Sequence, residues 1–241
     1  GTPNAGLWAP MQLLSGDDTL GGVLTFLSPP SRDRQTRRTL AEFPGVMQLQ
    51  AGLLDQPALQ DPRTWQALAG DDVRRATEAS SWHASDAQKS QLAWGLPDEK
   101  TFKTLLAAAV ALQQRLANQL TANFERYASK ILLVTGQAPL TPFGYADGAE
   151  GFTYLYTPSG DGYVTYGSAA LPGVKAWTVD DGHDGLPSKA AAFDAYIELL
   201  QKGSTARLSF ASAVVGGGDT RGVMSVSRET VRMRPARIPK S

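Results

Sequence analysis

Only two segments of the 241-residue chain have the pattern of strands buried in a parallel sheet. Residues 131–134 read Ile-Leu-Leu-Val, a wholly apolar and branched run, and residues 174–179 form the second predicted strand. Open parallel sheets normally contain four to six strands with helices on both faces, so two strands are too few. We therefore expect an α/β fold whose remaining strands lie upstream of Gly1, which also fits a start without methionine.

The spacing of apolar residues predicts two helices beside these strands. Between residues 98 and 130 apolar side chains recur every three or four positions, which indicates one face of a long helix that begins near Pro97-Asp98. A second helix is predicted over residues 189–201, with Ser188 capping its first turn and Gly203 ending it. Its predicted buried stripe consists of Phe193, Ile197 and Leu200.

Composition divides the chain into three predicted segments. Residues 1–95 mix short apolar clusters with proline, glycine and charge, which predicts short helices and loops in a mainly helical cap or lid region. Residues 96–203 contain both predicted strands and form the C-terminal part of the predicted core. Residues 204–241 carry seven Lys and Arg against two acidic residues, which predicts a basic extended tail, linker or hairpin.

The bulk composition excludes several classes of protein. The chain has no cysteine, so disulfide scaffolds, thiolate catalysis and cysteine-bound metal centres are excluded within it. A formal net charge of zero gives no global field that would favour nucleic acid as a partner. No apolar run is long enough to predict a transmembrane segment, and no signal peptide is visible. The compartment stays open between cytoplasmic and secreted, because many secreted bacterial proteins also lack cysteine.

The chain contains two histidines, and only one lies where catalytic groups of parallel sheets gather. His183 follows the second predicted strand in the loop Asp-Asp-Gly-His-Asp-Gly-Leu-Pro and precedes a predicted helix. His83 lies in Ser-Trp-His-Ala-Ser without a carboxylate pattern around it, so we interpret it as structural. His183 is therefore the candidate proton acceptor.

The candidate acid is Asp161. It lies in Ser-Gly-Asp-Gly-Tyr-Val, after the first predicted strand and a long loop that contains proline and glycine. An aspartate between glycines is usually a simple turn. Here, however, an acid after one strand and a histidine after the next reproduce the last two members of the α/β-hydrolase order Ser, Asp or Glu, His.

Three motifs in this order resemble the lecithin-cholesterol acyltransferase and related lipase group of α/β-hydrolases, over roughly residues 1–207. The acid loop matches at Gly160, Asp161, Gly162 and Val164, and the histidine turn at His183 with Leu186-Pro187. The Gly-Thr-Pro-x-x-Gly segment of the family matches at Gly1, Thr2, Pro3 and Gly6. Residues 171–174, Leu-Pro-Gly-Val before the second predicted strand, are also similar to the family.

The chain also departs from the family pattern. Tyr163 stands where relatives often have threonine beside the acid, and Asp184-Gly185 reverses the Gly-Asp common after the histidine. The larger difference is that no Gly-x-Ser-x-Gly sequence is present, and the segment that forms the oxyanion hole is absent too.

The resemblance implies the C-terminal portion of a serine ester hydrolase, a lipase, phospholipase or acyltransferase, in which Asp161 and His183 act with a serine upstream of Gly1. Its substrate would be an ester or lipid, its partner the N-terminal remainder of the same hydrolase domain, and no cofactor would be needed. By itself this chain would be inactive.

Two alternatives stay open at this point. The chain could be a non-catalytic, hydrolase-like scaffold or regulatory interaction domain of a larger protein. Metal-dependent hydrolysis at His183 with Asp180, Asp181 or Asp184 is less favoured, because the loop offers few ligands.

Overall fold

The computed structural model describes residues 2–17, 33–79, 93–122, 124–148, 151–211 and 224–226. The helices in these ranges are α1 Ala9–Ser15, α2 Asp33–Ala41, α3 Pro44–Gln48, α4 Pro62–Ala79, α5 Glu99–Ala122, α6 Glu125–Ala128, α7 Tyr166–Ala169 and α8 Phe193–Lys202. Short 3-10 turns cover Pro57–Gln60, His183–Ser188 and Ala190–Ala192. The strands are β1 Leu133–Gly136, β2 Thr141–Gly148, β3 Gly151–Thr157, β4 Ala176–Val179, β5 Ser209–Phe210 and β6 Met224–Val226. The chain is therefore a mixed α/β protein.

The strands form two three-stranded sheets. In the first sheet the order is β1-β4-β5, with β1 and β4 parallel and β4 and β5 antiparallel. Leu133 lies opposite Ala176, and Gly136 lies opposite Val179. The two predicted parallel strands are thus confirmed as strands, although each begins two residues later than predicted.

The second sheet, in the order β2-β3-β6, shows that one expectation was wrong. The segment after β1 was predicted to be a long loop, but it forms the hairpin strands β2 and β3. The alternating pattern of a strand was present in β3, where the buried Phe152, Tyr154 and Tyr156 alternate with less buried residues. Such period-two burial of aromatic side chains is typical of a strand with one face in a core.

The chain divides into two compact units. The strand unit comprises Gly1–Leu7, Gln114–Phe143 and Tyr156–Met224, and the helical unit comprises Trp8–Gln113, Gly144–Leu155 and Ser225–Ser241. This division differs from the three consecutive segments predicted from the sequence, because α5 and the β2-β3 hairpin contribute residues to both units. The boundaries between the three predicted segments, at residues 95 and 203, remain predictions.

The helical unit is built on aromatic packing. Trp65 and Phe102 meet edge to face at 5.4 Å, and Trp94 meets Phe152 in the same way at 5.0 Å. The Nε1 of Trp94 donates to Asp72 over 2.7 Å, so this buried indole keeps its hydrogen bond. The described residues between 8 and 113 form helices and turns, which confirms the helical prediction for that part of the chain.

The long helix α5 begins as predicted and buries one face. Asp98 accepts a hydrogen bond from the backbone N–H of Thr101 over 3.0 Å, which satisfies one of the free donors of the first turn. The buried side chains of this helix are Phe102, Leu105, Leu106 and Ala109. None of the described helices is long and apolar enough to cross a membrane.

The prediction for the buried face of α8 was wrong. The predicted stripe is exposed, with relative exposures of 48% for Phe193, 51% for Ile197 and 81% for Leu200. The helix begins at Phe193 after two 3-10 turns, and it buries the small Ala195 and the neighbouring Leu199 instead. The sequence prediction placed the face of α8 with the largest apolar side chains inside. It failed because an alanine allows a close approach that a larger side chain prevents.

Candidate active site

The candidate site begins where β1 and β4 end. Because the two strands are parallel and Gly136 lies opposite Val179, the loops that follow them leave the same edge of the sheet. The backbone N–H of Gln137 donates to the carbonyl of Asp181 over 2.8 Å, and the N–H of Ala138 donates to the carbonyl of Gly160 over 2.8 Å. These two bonds hold the acid loop and the histidine loop beside the end of β1.

Gly136 permits this close approach. A Cβ atom at this position would lie 2.3 Å from the carbonyl oxygen of Asp181 and 3.0 Å from the Cβ of Asp161. The first contact is to backbone, which cannot move aside without displacing the histidine loop. The last residue of β1 therefore needs to be glycine for both loops to pack against it.

The acid loop folds around the Asp161 carboxylate, which is 2% exposed. Its Oδ1 accepts hydrogen bonds from the backbone N–H groups of Tyr163, over 3.0 Å, and Val164, over 2.7 Å. This arrangement explains the flanking glycines. A Cβ at Gly160 would lie 2.6 Å from the carbonyl of Val164, and Gly162 has a φ of 102°, which other residues rarely adopt.

Asp161 and His183 meet directly. His183 Nδ1 lies 2.8 Å from Asp161 Oδ2, and the backbone N–H of His183 donates to the backbone carbonyl of Asp161 over 2.8 Å. The prediction that these two side chains lie within hydrogen-bonding distance at the ends of adjacent parallel strands is confirmed. The acid is buried, whereas the histidine side chain is 37% exposed.

The surroundings of Asp161 favour its ionised form. Burial is the largest influence on the pKa of Asp161 and raises it, but the hydrogen bonds that the carboxylate accepts, first among them the one from His183, act in the opposite direction, and the pKa is lowered from 3.8 to about 2. An ionised carboxylate only accepts, so the hydrogen between the two side chains belongs to His183 Nδ1. In neutral His183 the lone pair is then on Nε2, the nitrogen that a proton acceptor would use.

Nε2 of His183 has no hydrogen-bond partner among the residues that the structure describes. The imidazole is therefore held at one nitrogen by Asp161 and is accessible from the other side. A hydroxyl group placed within hydrogen-bond distance of Nε2 would complete the geometry of a nucleophile and its general base.

The histidine loop is anchored on both sides of His183. Asp181 accepts from the N–H of Gly182 over 2.8 Å through Oδ1 and forms an ion pair with Lys189 at 3.2 Å through Oδ2. A Cβ on Gly185 would lie 2.3 Å from Asp181 Oδ1, which explains the glycine after Asp184. On the other side, the hydroxyl of Tyr196 on α8 donates to the carbonyl of Leu186 over 2.8 Å.

The amino-terminal motif lies in the same unit as these two loops. Asn4 Nδ2 donates to the carbonyl of Ala169 over 2.7 Å, and the N–H of Ala5 donates to the carbonyl of Ser168 over 3.0 Å. The hydroxyl of Ser168 also donates to the carbonyl of Gly6. Since α7 directly follows the acid loop, the structure places all three motif segments in the strand unit.

Sequence reasoning missed several residues that shape this site. Gly136 was not singled out, and Tyr163 was noted only as a departure, yet its ring lies 5.4 Å from that of His183. Tyr196 was also missed, since a tyrosine that anchors a loop carbonyl leaves no spacing signal. His83 lies outside the described residues, so its predicted structural role stays a prediction.

Within the described ranges there is no cluster of three or more His, Cys, Asp or Glu side chains that could hold a metal ion. This finding includes the aspartates around His183 that the metal alternative would use.

Comparison with known proteins gives no relative. No family model, no curated protein and no solved structure matches the chain.

Proposed function

We propose that this chain supplies the acid and the base of a serine ester hydrolase of the α/β-hydrolase class, with Asp161 and His183 as the two catalytic residues. The observation that carries the proposal is the hydrogen bond of 2.8 Å between Asp161 Oδ2 and His183 Nδ1 at the carboxyl ends of parallel strands. Catalytic groups of parallel sheets gather at this edge. The sequence resemblance to lipases and acyltransferases gives the substrate class, a carboxylic ester or lipid.

The proposed chemistry follows from the ionised carboxylate of Asp161 and from the tautomer of neutral His183. His183 Nε2 takes the proton from a serine hydroxyl as its oxygen attacks the ester carbonyl, and the imidazolium then gives that proton to the departing alkoxide. Asp161 stays ionised throughout, because its low pKa makes it a poor proton acceptor. Its role is to keep the proton of neutral His183 on Nδ1 and to stabilise the imidazolium. Water, or an alcohol in acyl transfer, then attacks the acyl-enzyme with His183 as base.

The serine and the oxyanion donors belong, in this proposal, to the N-terminal remainder of the same hydrolase domain. Two features of the strand unit support such a partner. In the described sheet β1 has β4 on one side only, which leaves backbone groups of a short parallel strand for another strand to pair with. The exposed Phe193, Ile197 and Leu200 lie along one side of α8 and form an apolar stripe that another element could cover.

A fluorophosphonate probe tests the proposal, because it reacts with serines that an adjacent base activates. We expect no labelling of the 241-residue chain, since its described residues place no hydroxyl on His183 Nε2. The polypeptide extended upstream of Gly1 in its reading frame should be labelled at one serine. Mass spectrometry of the labelled peptide identifies that serine.

The control is His183→Ala in the extended polypeptide, which should abolish labelling while the protein remains folded. Labelling of the 241-residue chain at one of its own serines would overturn the assignment of the nucleophile to the upstream segment. An extended protein that contains no reactive serine would instead support the scaffold or regulatory function.

A further inference from the structure

The aromatic neighbour of His183 is unusual for the motif in which it occurs. Tyr163 follows Asp161 by two residues, and its ring meets that of His183 at a centroid distance of 5.4 Å and an angle of 70°. This angle is an edge-to-face contact, one of the arrangements that aromatic rings favour. The threonine that the resembling family often has at this position has no ring and could not make the contact.

The same tyrosine is also fixed to the acid. Its backbone N–H donates to Asp161 Oδ1 over 3.0 Å, while His183 binds Asp161 Oδ2. Asp161, Tyr163 and His183 therefore form a closed cycle of two hydrogen bonds and one ring contact. The position of the Tyr163 backbone relative to the imidazole is set by the carboxylate that both residues share.

His183 needs such a second contact. Its side chain is 37% exposed, and a single hydrogen bond at Nδ1 leaves the ring free to tilt about the line to Asp161. A tilt of this kind moves Nε2, which lies on the far side of the ring, by more than it moves Nδ1. A general base works only where its lone pair points at the proton that it accepts, and displacements of about 1 Å reduce rates about a hundredfold.

We propose that Tyr163 is a positioning residue that holds the plane of the His183 imidazole, so that Nε2 points in a fixed direction. The residue acts through its ring, which meets the imidazole of His183 edge to face. The catalytic consequence rests on the proposed function, but the positioning itself does not, because the pair and the ring contact are both present in this chain.

Nuclear magnetic resonance of the 241-residue chain tests the positioning without any measurement of activity. The proton on His183 Nδ1 gives a low-field signal when a carboxylate holds it, and the loss of that signal in His183→Ala assigns it. We expect the signal in the parent protein and in Tyr163→Phe, which keeps the ring. In Tyr163→Ala and in Tyr163→Leu the proton should exchange with water up to about tenfold faster, the limit set by the strength of an aromatic pair.

Tyr163→Leu removes the aromatic ring but keeps a large apolar side chain, so it separates the effect of the ring from the effect of its volume. It also keeps the test valid if Tyr163→Ala unfolds. Tyr127→Ala is the matched control, because Tyr127 is 45% exposed and its ring packs with the neighbouring Arg126 on α6. An unchanged exchange rate in folded Tyr163→Leu would overturn the proposal, as would equal acceleration in Tyr127→Ala. A changed rate in the 241-residue chain, together with no labelling of the polypeptide extended upstream of Gly1, would uphold the positioning and reject the hydrolase.

Discussion

The acid loop follows β3 and the histidine loop follows β4, and the two loops differ in how completely their functional side chains are enclosed. Asp161 is 2% exposed, and its carboxylate accepts from two backbone N–H groups and from His183. His183 is 37% exposed and is held at one nitrogen. The first loop immobilises its side chain, whereas the second immobilises its backbone and leaves the imidazole accessible.

This difference fits the roles that the proposed function gives to the two residues. A side chain that exchanges protons with a substrate must be reachable, and among the described groups of the pair only His183 is. A side chain that stabilises an imidazolium works best when it stays charged and out of water, as Asp161 does.

The largest effect is expected at the exposed member of the pair. In the extended, probe-reactive protein, His183→Ala should lower ester turnover by about four to six orders of magnitude, because no other group near the serine takes its proton. Turnover of a chromogenic ester is the measurement. His83→Ala is the matched control and should leave turnover nearly unchanged, since His83 is predicted to be structural.

If His183→Ala turns over ester as fast as the parent, His183 is not the general base and the hydrolase proposal fails. If His83→Ala is equally damaging, the sequence interpretation assigned the wrong histidine.

A smaller effect is expected where the two loops meet. Gly136→Ala introduces a Cβ only 2.3 Å from the carbonyl of Asp181, so the histidine loop has to shift. We expect a loss of about 3 kcal/mol in the free energy of unfolding, the upper end of the usual cost of overpacking. Urea denaturation measures it. The low-field NMR signal of the proton on His183 Nδ1 should weaken as well.

Gly167→Ala is the control for this substitution. Gly167 lies on α7 in the same unit, and a Cβ there meets nothing within 4 Å. Equal stability of the two variants would show that Gly136 does not set the spacing of the loops.

The smallest of the three effects is the pH dependence of the enclosed residue. The pKa of Asp161 is lowered in the folded state from 3.8 to about 2. Its contribution is therefore fully present above about pH 4 and is lost as the pH falls toward 2, and at 1.36 kcal/mol per pKa unit it amounts to about 2 kcal/mol. Denaturation at several pH values should show that Asp161→Asn is less stable than the parent at pH 6.

The difference in the free energy of unfolding between the parent and Asp161→Asn should shrink as the pH falls toward 2. A constant difference between pH 6 and pH 2 would mean that the carboxylate is not the group whose ionisation stabilises the loop. His183→Ala should reduce the same difference, because it removes one of the bonds that the carboxylate accepts.

The sequence was most informative where local chemistry alone decides the structure. An apolar branched run predicted β1, Asp98 predicted the start of α5, and glycines around Asp161 marked a turn whose geometry needs them. The sequence predicted the proximity of Asp161 and His183 from the rule that parallel strands end at a common edge. The acid loop follows β3 of the second sheet and not β1, and the hydrogen bond from the N–H of Ala138 to the carbonyl of Gly160 holds it beside the end of β1. The strand β1, the start of α5 and the turn at Asp161 each depend on residues that lie close together in the chain.

The sequence was least informative where packing partners decide. The face that α8 buries depends on which side chains fit against its neighbours, so the larger Phe193, Ile197 and Leu200 were wrongly predicted to be inside. The β2-β3 hairpin was missed because the glycine and proline around it drew more weight than the alternation in β3. Gly136 and Tyr196 carry no sequence pattern, since Gly136 matters through its close approach to two loops and Tyr196 through one hydrogen bond to the carbonyl of Leu186.

The separation of Asp161 and His183 along the chain has a consequence for how the protein folds. The two residues are 22 positions apart, whereas Asn4 bonds to a carbonyl 165 positions away. Closing the shorter loop costs about 2 kcal/mol less chain entropy than closing the longer one, so the acid–base pair has the lower kinetic barrier to assembly. The acid–base pair is therefore expected to form early in folding, before the amino-terminal segment docks on α7.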